Sequence, residues 1–434
     1  MTRFLPAISV VALTSLLSPL QGADWSRFRG SNGAGTATTA ALPVTWSDTS
    51  NIRWKRELPG PGSSSPIVVG KHVFVTCYTG YGTDQEKPGR ADDLKRHLIC
   101  FERGSGQTVW SQSIDGVLPE DDFKGFIVQH GYASHTPVSD GERVYAFLGK
   151  SGVIAFDLDG NRLWRTTVGT ESGSHGWGSG ASPILHENLV IVNASEESQS
   201  LYALNKRTGS QVWRAQAAGL ANSWSTPVLA DAPDGSKELV VAVPDEVWGL
   251  NPDAGKLLWR VTAGIGSFVC PSVVTQGGIV YAMGGRGRGD GALVAVRTGG
   301  RGDVTDSHTI WASKEYSPVP TPLLYDGRIY CLNDSGIVIC VDASDGSLIY
   351  KERLLGGGAG GNRSTYASMV AAGGKIYAVS RFNGTYVIAA GDEYKQLAVN
   401  VMEDDESGFH GTPAISDDQM FLRSNRYLYC VEAE

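Results

Sequence analysis

The stretches LYALNKRTGSQVW (201–213) and VWGLNPDAGKLLW (247–259) share one grammar: an apolar strand, a polar turn ending in Gly, then a second strand closing on Trp. LICFERGSGQTVW (98–110), VIAFDLDGNRLW (153–164) and VICVDASDGSLIY (338–350) repeat it. In each, a small residue (Cys100, Ala155, Ala203, Gly249 or Cys340) precedes an aromatic (Trp110, Trp164, Trp213, Trp259 or Tyr350) by nine or ten positions. A unit of this size cannot bury its own apolar face, so neighbouring units must stack.

Two further strands lie upstream of each such pair. The first opens on a hydroxylated residue before Pro: Ser65-Pro66, Thr136-Pro137, Ser182-Pro183, Thr226-Pro227, Thr321-Pro322 and Thr412-Pro413. Copy five is read from Val269-Cys270-Pro271 and lengthens its last turn with RTGGRGDVTDS before Trp311. Copy seven, from Tyr366-Ala367-Ser368 to about Met402, lacks the aromatic, and copy eight stops after LYCVEAE without a fourth strand. The missing pattern stands ahead of copy one, in NIRWKREL (51–58) with Trp54. Pairing that segment with the end of the chain closes a ring and leaves no open sheet edge.

The expected fold is therefore all-β: an eight-bladed β-propeller of four-stranded blades over 51–434, closed by the N-terminal strand completing the last blade. Seven blades is the alternative if copy seven is an irregular excursion. Trp54, Trp110, Trp164, Trp213, Trp259, Trp311 and Tyr350 are assigned to docking between blades, as scaffold.

With 434 residues, 55 Gly and a net charge of −8, the chain carries many tight turns and no basic stripe, which argues against a nucleic-acid partner. Arg3 followed by an apolar run from Phe4 to Leu20 reads as a signal peptide over 1–23, so the expected location is outside the cytoplasm, periplasmic or secreted, with no membrane span. Residues 24–50 form an N-terminal extension, expected against the outside of the barrel or one of its faces. Export permits disulfides, and Cys77–Cys100 and Cys331–Cys340 are candidates for pairing across hairpins. The alternative is that these Cys fill small buried slots.

In a propeller the innermost strands line the central channel, so residues just before them converge on one mouth. There stand His130, Tyr132 and His135 of copy two, His175 and Trp177 of copy three, and Asn222 and Trp224 of copy four. Arg363 and Tyr366 of copy seven join them, with Phe409 and His410 of copy eight. This set predicts an aromatic- and imidazole-lined pocket for a small molecule, a peptide or a polysaccharide end; the alternative is a solvated rim. No metal site is predicted, since no tight ligand spacing such as H-E-x-x-H occurs. Asn193, Glu196 and Glu197 offer oxygen ligands in one turn, where exposed carboxylates without a cation are commoner.

The x-D-x-x-T-G-x-x-x-W pattern visible in NKRTGSQVW and NPDAGKLLW resembles the pyrroloquinoline-quinone (PQQ) repeat and its tryptophan-docking motif, and the resemblance covers nearly all of 51–434. It implies an eight-bladed propeller, and its relatives include quinoprotein dehydrogenases and an outer-membrane assembly lipoprotein that binds no quinone. DWSRFRGSNGAG (24–35) further resembles exported PQQ-like propeller proteins of planctomycete and verrucomicrobial bacteria. The dehydrogenases' adjacent-cysteine ring, Ca²⁺ ligands and catalytic Asp have no counterpart motif here. The resulting expectation is a monomeric, non-catalytic protein-binding or assembly scaffold without a cofactor, whose partner is an envelope protein or a small ligand. The alternatives are a PQQ- and Ca²⁺-dependent oxidoreductase and a sugar- or peptide-binding propeller.

Overall fold

Each repeat becomes one sheet, and the eight sheets are joined in sequence around an axis. The computed structural model describes residues 24–39, 41–285, 291–357 and 365–434, so the expected signal peptide and Arg363 lie outside the described residues. Blade three shows the plan, with Ile184–His186 innermost, then Leu189–Ala194, Ser200–Asn205 and Gln211–Gln216, all antiparallel. Copy seven is a full blade, from Val370–Ala372 out to Gln396–Asn400. The ring closes as expected, because Ile52–Glu57 pairs antiparallel with Tyr427–Glu432 and Trp54 lies opposite Cys430.

The repeat grammar has a direct steric cause. Ala155, Ala203, Gly249, Cys100 and Cys340 face Trp164, Trp213, Trp259, Trp110 and Tyr350 across the outer strand pair, and a register shift adjoins each aromatic. A bulge re-aims the side chain, and a small partner leaves room for the ring. A Cβ on Gly249 would come within 2.0 Å of the Trp259 indole. The turn glycine of the next blade then lies on that ring. Gly209 has φ +73°, and a Cβ there would sit 2.6 Å from Trp164, whose Nε1–H donates to the Lys206 carbonyl at 3.1 Å. Trp54, Trp110, Trp213 and Trp311 dock alike, on the carbonyls of Arg103, Leu158, Pro252 and Ala343.

Trp259 departs from this rule because the long turn of copy five displaces its acceptor. Its Nε1–H donates to the buried Glu238 carboxylate at 2.7 Å, and Gly302–Asp303 adds a parallel fifth strand to blade four. In blade seven Ala398 occupies the aromatic slot opposite Val387. Trp46, from the extension, is buried in the cluster that spans blades seven and eight, 6.3 Å from Tyr377, with its backbone N–H on Asn400 Oδ1 at 2.9 Å. The extension thus supplies an aromatic near the place where the blade lacks one.

The cysteine alternatives resolve to buried free thiols. Neither proposed disulfide pair is opposed: Cys77 faces His97 and Cys100 faces Phe74, while Cys331 faces Ile339 and Cys340 faces Tyr330. Odd register offsets put the two side chains on opposite sheet faces. All four are buried thiols without a disulfide. The extension takes the second of its two expected places, on one face of the barrel. Thr36–Ala37 runs parallel to the innermost strand of blade seven, and Trp25 bridges to Val68 of blade one. Between them, the Arg29 guanidinium donates to the carbonyls of Thr321, Pro322 and Met369 and to those of Gly33 and Ala34 in its own loop. Residues 24–37 therefore close one end of the axial channel. Among the described residues no helix is long and apolar enough to cross a membrane.

Candidate functional site

The hydroxyl that opens each innermost strand has a structural task. Ser65 N–H donates to Thr136 Oγ1, Thr136 to Ser182, Ser182 to Thr226, Thr226 to Ser272, Ser272 to Thr321, Thr321 to Ser368 and Ser368 to Thr412, all at 2.9–3.0 Å. These bonds form a belt that stitches the eight blades in order around the channel. A following Pro holds its predecessor extended, which presents the hydroxyl to the neighbouring backbone. The belt also corrects the reading of copy five: Ser272, after Pro271, takes the belt position, so Cys270 corresponds to Trp224.

The residue two places before each belt hydroxyl forms a second ring: Ser63, Ser134, Gly180, Trp224, Cys270, Val319, Tyr366 and His410. Both rings line one cavity of about 200 Å³, together with Phe126, Gln129, His130 and Trp177 on one side and Phe28 of the extension at the end closed by residues 24–37. Among the described residues the channel is thus a blind cup, closed at the plug end.

The mouth is aromatic on one side. Trp177 stacks on Trp224 with centroids 5.6 Å apart, meets Phe126 edge-on at 4.5 Å and lies 5.1 Å from Phe268. The Trp224 Nε1–H is satisfied by the Gly178 carbonyl at 2.7 Å, which fixes the ring. His130 braces the same wall, with Nε2 2.8 Å from the Trp177 carbonyl and Nδ1 2.7 Å from Ser134 Oγ. Burial lowers the His130 pKa and takes that of His410 to about 3, so both imidazoles are neutral near pH 7.

Of the residues singled out from sequence, His130, Trp177, Trp224, Tyr366 and His410 line the cup. The others do not. Tyr132 is core, packed on Tyr78 and Tyr81 with its hydroxyl on the Asp121 carbonyl at 2.7 Å. His135 points behind the wall to Ser179 Oγ at 2.9 Å, and burial takes its pKa to about 3. His175 stacks on Trp177 at 4.7 Å outside the cavity, and Asn222 is a turn residue with φ +63°. Ring residues alternate between facing the channel and facing the wall, so proximity in sequence overcounts the site. Sequence reasoning missed Phe28, Phe126, Gln129 and Phe268. The position two before each belt hydroxyl was a usable signal for the second ring; nothing in the repeat pointed to Phe28.

Behind the wall lies a separate polar cluster. Arg96 pairs with Glu120 at 2.5 Å, and the Lys150 ammonium reaches Asp121 at 3.3 Å and Ser172 Oγ at 2.8 Å. Ser179 donates to Glu197, so carboxyl, hydroxyl and the His135 imidazole form a chain. Glu196 and Glu197 are buried rather than exposed as expected, and Glu196 has no hydrogen-bond partner on either oxygen. Burial raises their pKa values to about 8 and about 7. On the surface, His186, Glu187 and Asp253 bring ligand atoms within 4.8 Å of one another, a grouping the spacing did not show. The His186–Asp253 contact at 3.1 Å accounts for it as a polar pair.

The architecture has known counterparts. BamB from Moraxella catarrhalis superposes with a TM-score of 0.61 at 12% identity, over 88% of this chain and 97% of that one. A computationally designed protein, Ika8, gives 0.55 at 11% identity over 86% and 98%, and a europium-containing methanol dehydrogenase gives 0.50 at 12% over 85% and 89%. At these identities the likeness is one of fold. Among curated proteins, none matches the chain by sequence. The sequence profile described as outer membrane protein assembly factor BamB matches residues 94–352 and 197–434. Repeat grammar, eight closed blades and that match agree: the chain belongs to the BamB family of PQQ-repeat propellers.

Proposed function

We propose that this protein is an exported, non-catalytic propeller of the cell envelope that binds a segment of a partner protein in its axial cup. The observation that carries this reading is the aromatic wall formed by Phe126, Trp177, Trp224 and Phe268 beside a blind cavity. Rigid aromatic rings at the rim of a pocket supply large contact area at small entropic cost, as in the anchors of protein interfaces. Family membership supports the envelope setting and a protein partner.

A redox quinone is the rival reading, and the cup fits it poorly. Quinone chemistry of this class needs a Ca²⁺ held by several oxygens. Among the described lining residues there is no carboxylate, and Gln129 is the single side-chain amide. The buried Glu196 and Glu197 are absent from that lining.

The test is site-specific photocrosslinking in the native envelope. A photoreactive residue replacing Phe268, at the mouth, should yield a reproducible crosslinked partner, and Trp177→Ala with Trp224→Ala should abolish it. The same residue at Val212, on an exposed outer strand, should not. Crosslinking from Val212 alone would overturn the reading, as would saturable binding of PQQ with Ca²⁺ that displaces the partner.

A further inference from the structure

The belt leaves something over. In seven of its members (Thr136 to Thr412) the hydroxyl oxygen accepts a neighbouring backbone N–H. Each hydroxyl also carries one proton to donate. None of these seven has a hydrogen-bond acceptor among the described residues, although all are buried to 5% exposure or less. The inner wall of the cup is therefore ringed by donors. The charges around it point the same way. Arg29 and Arg423 are each 1% exposed and have no carboxylate partner among the described residues. Arg423 donates to Ser64 and to the Thr76 carbonyl, directly behind the ring, while its Nε and Nη2 have no partner. Arg381 stacks on Tyr366 at 4.8 Å and likewise has no carboxylate partner among the described residues. Buried cations without counter-ions make a positive field, and no described lining residue is acidic.

We infer that the cup takes the C-terminal carboxylate of a polypeptide, seated on the hydroxyl belt with the last side chain against Trp177 and Trp224. A chain end is specified because Phe28 and the segment around Arg29 close the far side, so no chain can thread through. This rests on the reading of the cup as a peptide site and adds the chemistry of its occupant. A carboxylate offers acceptors to several donors at once, and such charge-assisted bonds are about twice as strong as neutral ones.

Three probes decide it by calorimetric titration of the intact protein: acetyl-Gly-Phe with a free carboxyl end, the same compound as its C-terminal amide, and acetyl-Asp-Phe amide. The free acid should bind at least about tenfold more tightly than either amide. Trp224→Ala should weaken it, and Arg381→Gln should weaken the acid while leaving the amide unchanged. Equal affinities of acid and amide would overturn the carboxylate while leaving the peptide cup standing. Acid and Asp amide binding alike would overturn the chain end in favour of an acidic side chain. Failure of all three probes would overturn both proposals. The comparison needs no belt substitution, so it does not depend on a variant that loses its inter-blade stitching.

Discussion

Trp54 lies opposite Cys430, joining the first strand of the propeller to the last, and its indole N–H is bonded to the Arg103 carbonyl of blade one at 2.8 Å. One side chain thus seals blade eight and docks it on its neighbour. Trp54→Ala should cost about 3–5 kcal/mol, the range for truncating a buried large aromatic. Trp46→Ala should cost a similar amount, because Trp46 is 5% exposed and packs where blade seven offers only Ala398. Urea titrations followed by circular dichroism measure both. A negligible loss for Trp46→Ala would remove the extension from the core.

Glycine placement makes a sharper comparison. Gly209 and Gly141 both have positive φ, +73° and +89°, but only Gly209 lies against an indole; nothing is within 4 Å of a Cβ at Gly141. Both Ala variants bear the backbone strain, of order 1 kcal/mol. Gly209→Ala should lose about 1–3 kcal/mol more through overpacking on Trp164. Equal losses would show that docking tolerates the extra methyl.

Arg29 supports the closed end of the cup through five carbonyls. Arg29→Met keeps bulk and removes every donor, leaving buried acceptors unpaired at about 1–3 kcal/mol each. Limited proteolysis should then release residues 24–37 while the blades survive. A variant as resistant as the parent protein would show that Trp25 and the strand at Thr36–Ala37 hold the plug without it.

Stability should fall on both sides of a mildly acid optimum. Glu196 and Glu197 titrate at about 8 and about 7 in the fold, above the ordinary 4.5, through burial. The folded state binds their protons more tightly than the unfolded chain, so their contribution is whole below about pH 4.5 and is lost as pH rises through 7 and 8. His135 and His410 have the opposite sign: buried, with pKa values near 3 against 6.5, they contribute above pH 6.5 and lose that contribution as pH falls towards 3. Glu196→Gln should flatten the alkaline limb of a urea-midpoint profile and His410→Asn the acid limb. An unchanged alkaline limb would mean that Glu196 meets water in solution.

Most of the fold was legible because the repeat encodes contacts. The small residue marks room for an indole, the turn Gly marks its docking, and the hydroxyl before Pro marks the belt. The site was legible only in part. His135 and Tyr132 sit as near the innermost strand as His130 does, and one step of strand alternation turns His135 to the wall. Copy five misled because its belt hydroxyl, Ser272, follows a Pro and is followed by Val273, so no hydroxyl-Pro pair marks it. Phe28 and Arg29 were hidden for another reason: they belong to no repeat, and the partners of Arg29 at Thr321, Pro322 and Met369 are nearly 300 residues or more away.

The plug and the sealing strand both come from residues 24–57, yet each has essential partners in the last third of the chain. During synthesis, which proceeds from the amino end, those partners are made last. Growing chains must therefore carry an unpaired edge and an unfilled axis until blade eight emerges, so a receptive cup is itself a signature of finished assembly. Any molecule that enters it selects completed rings over partial ones.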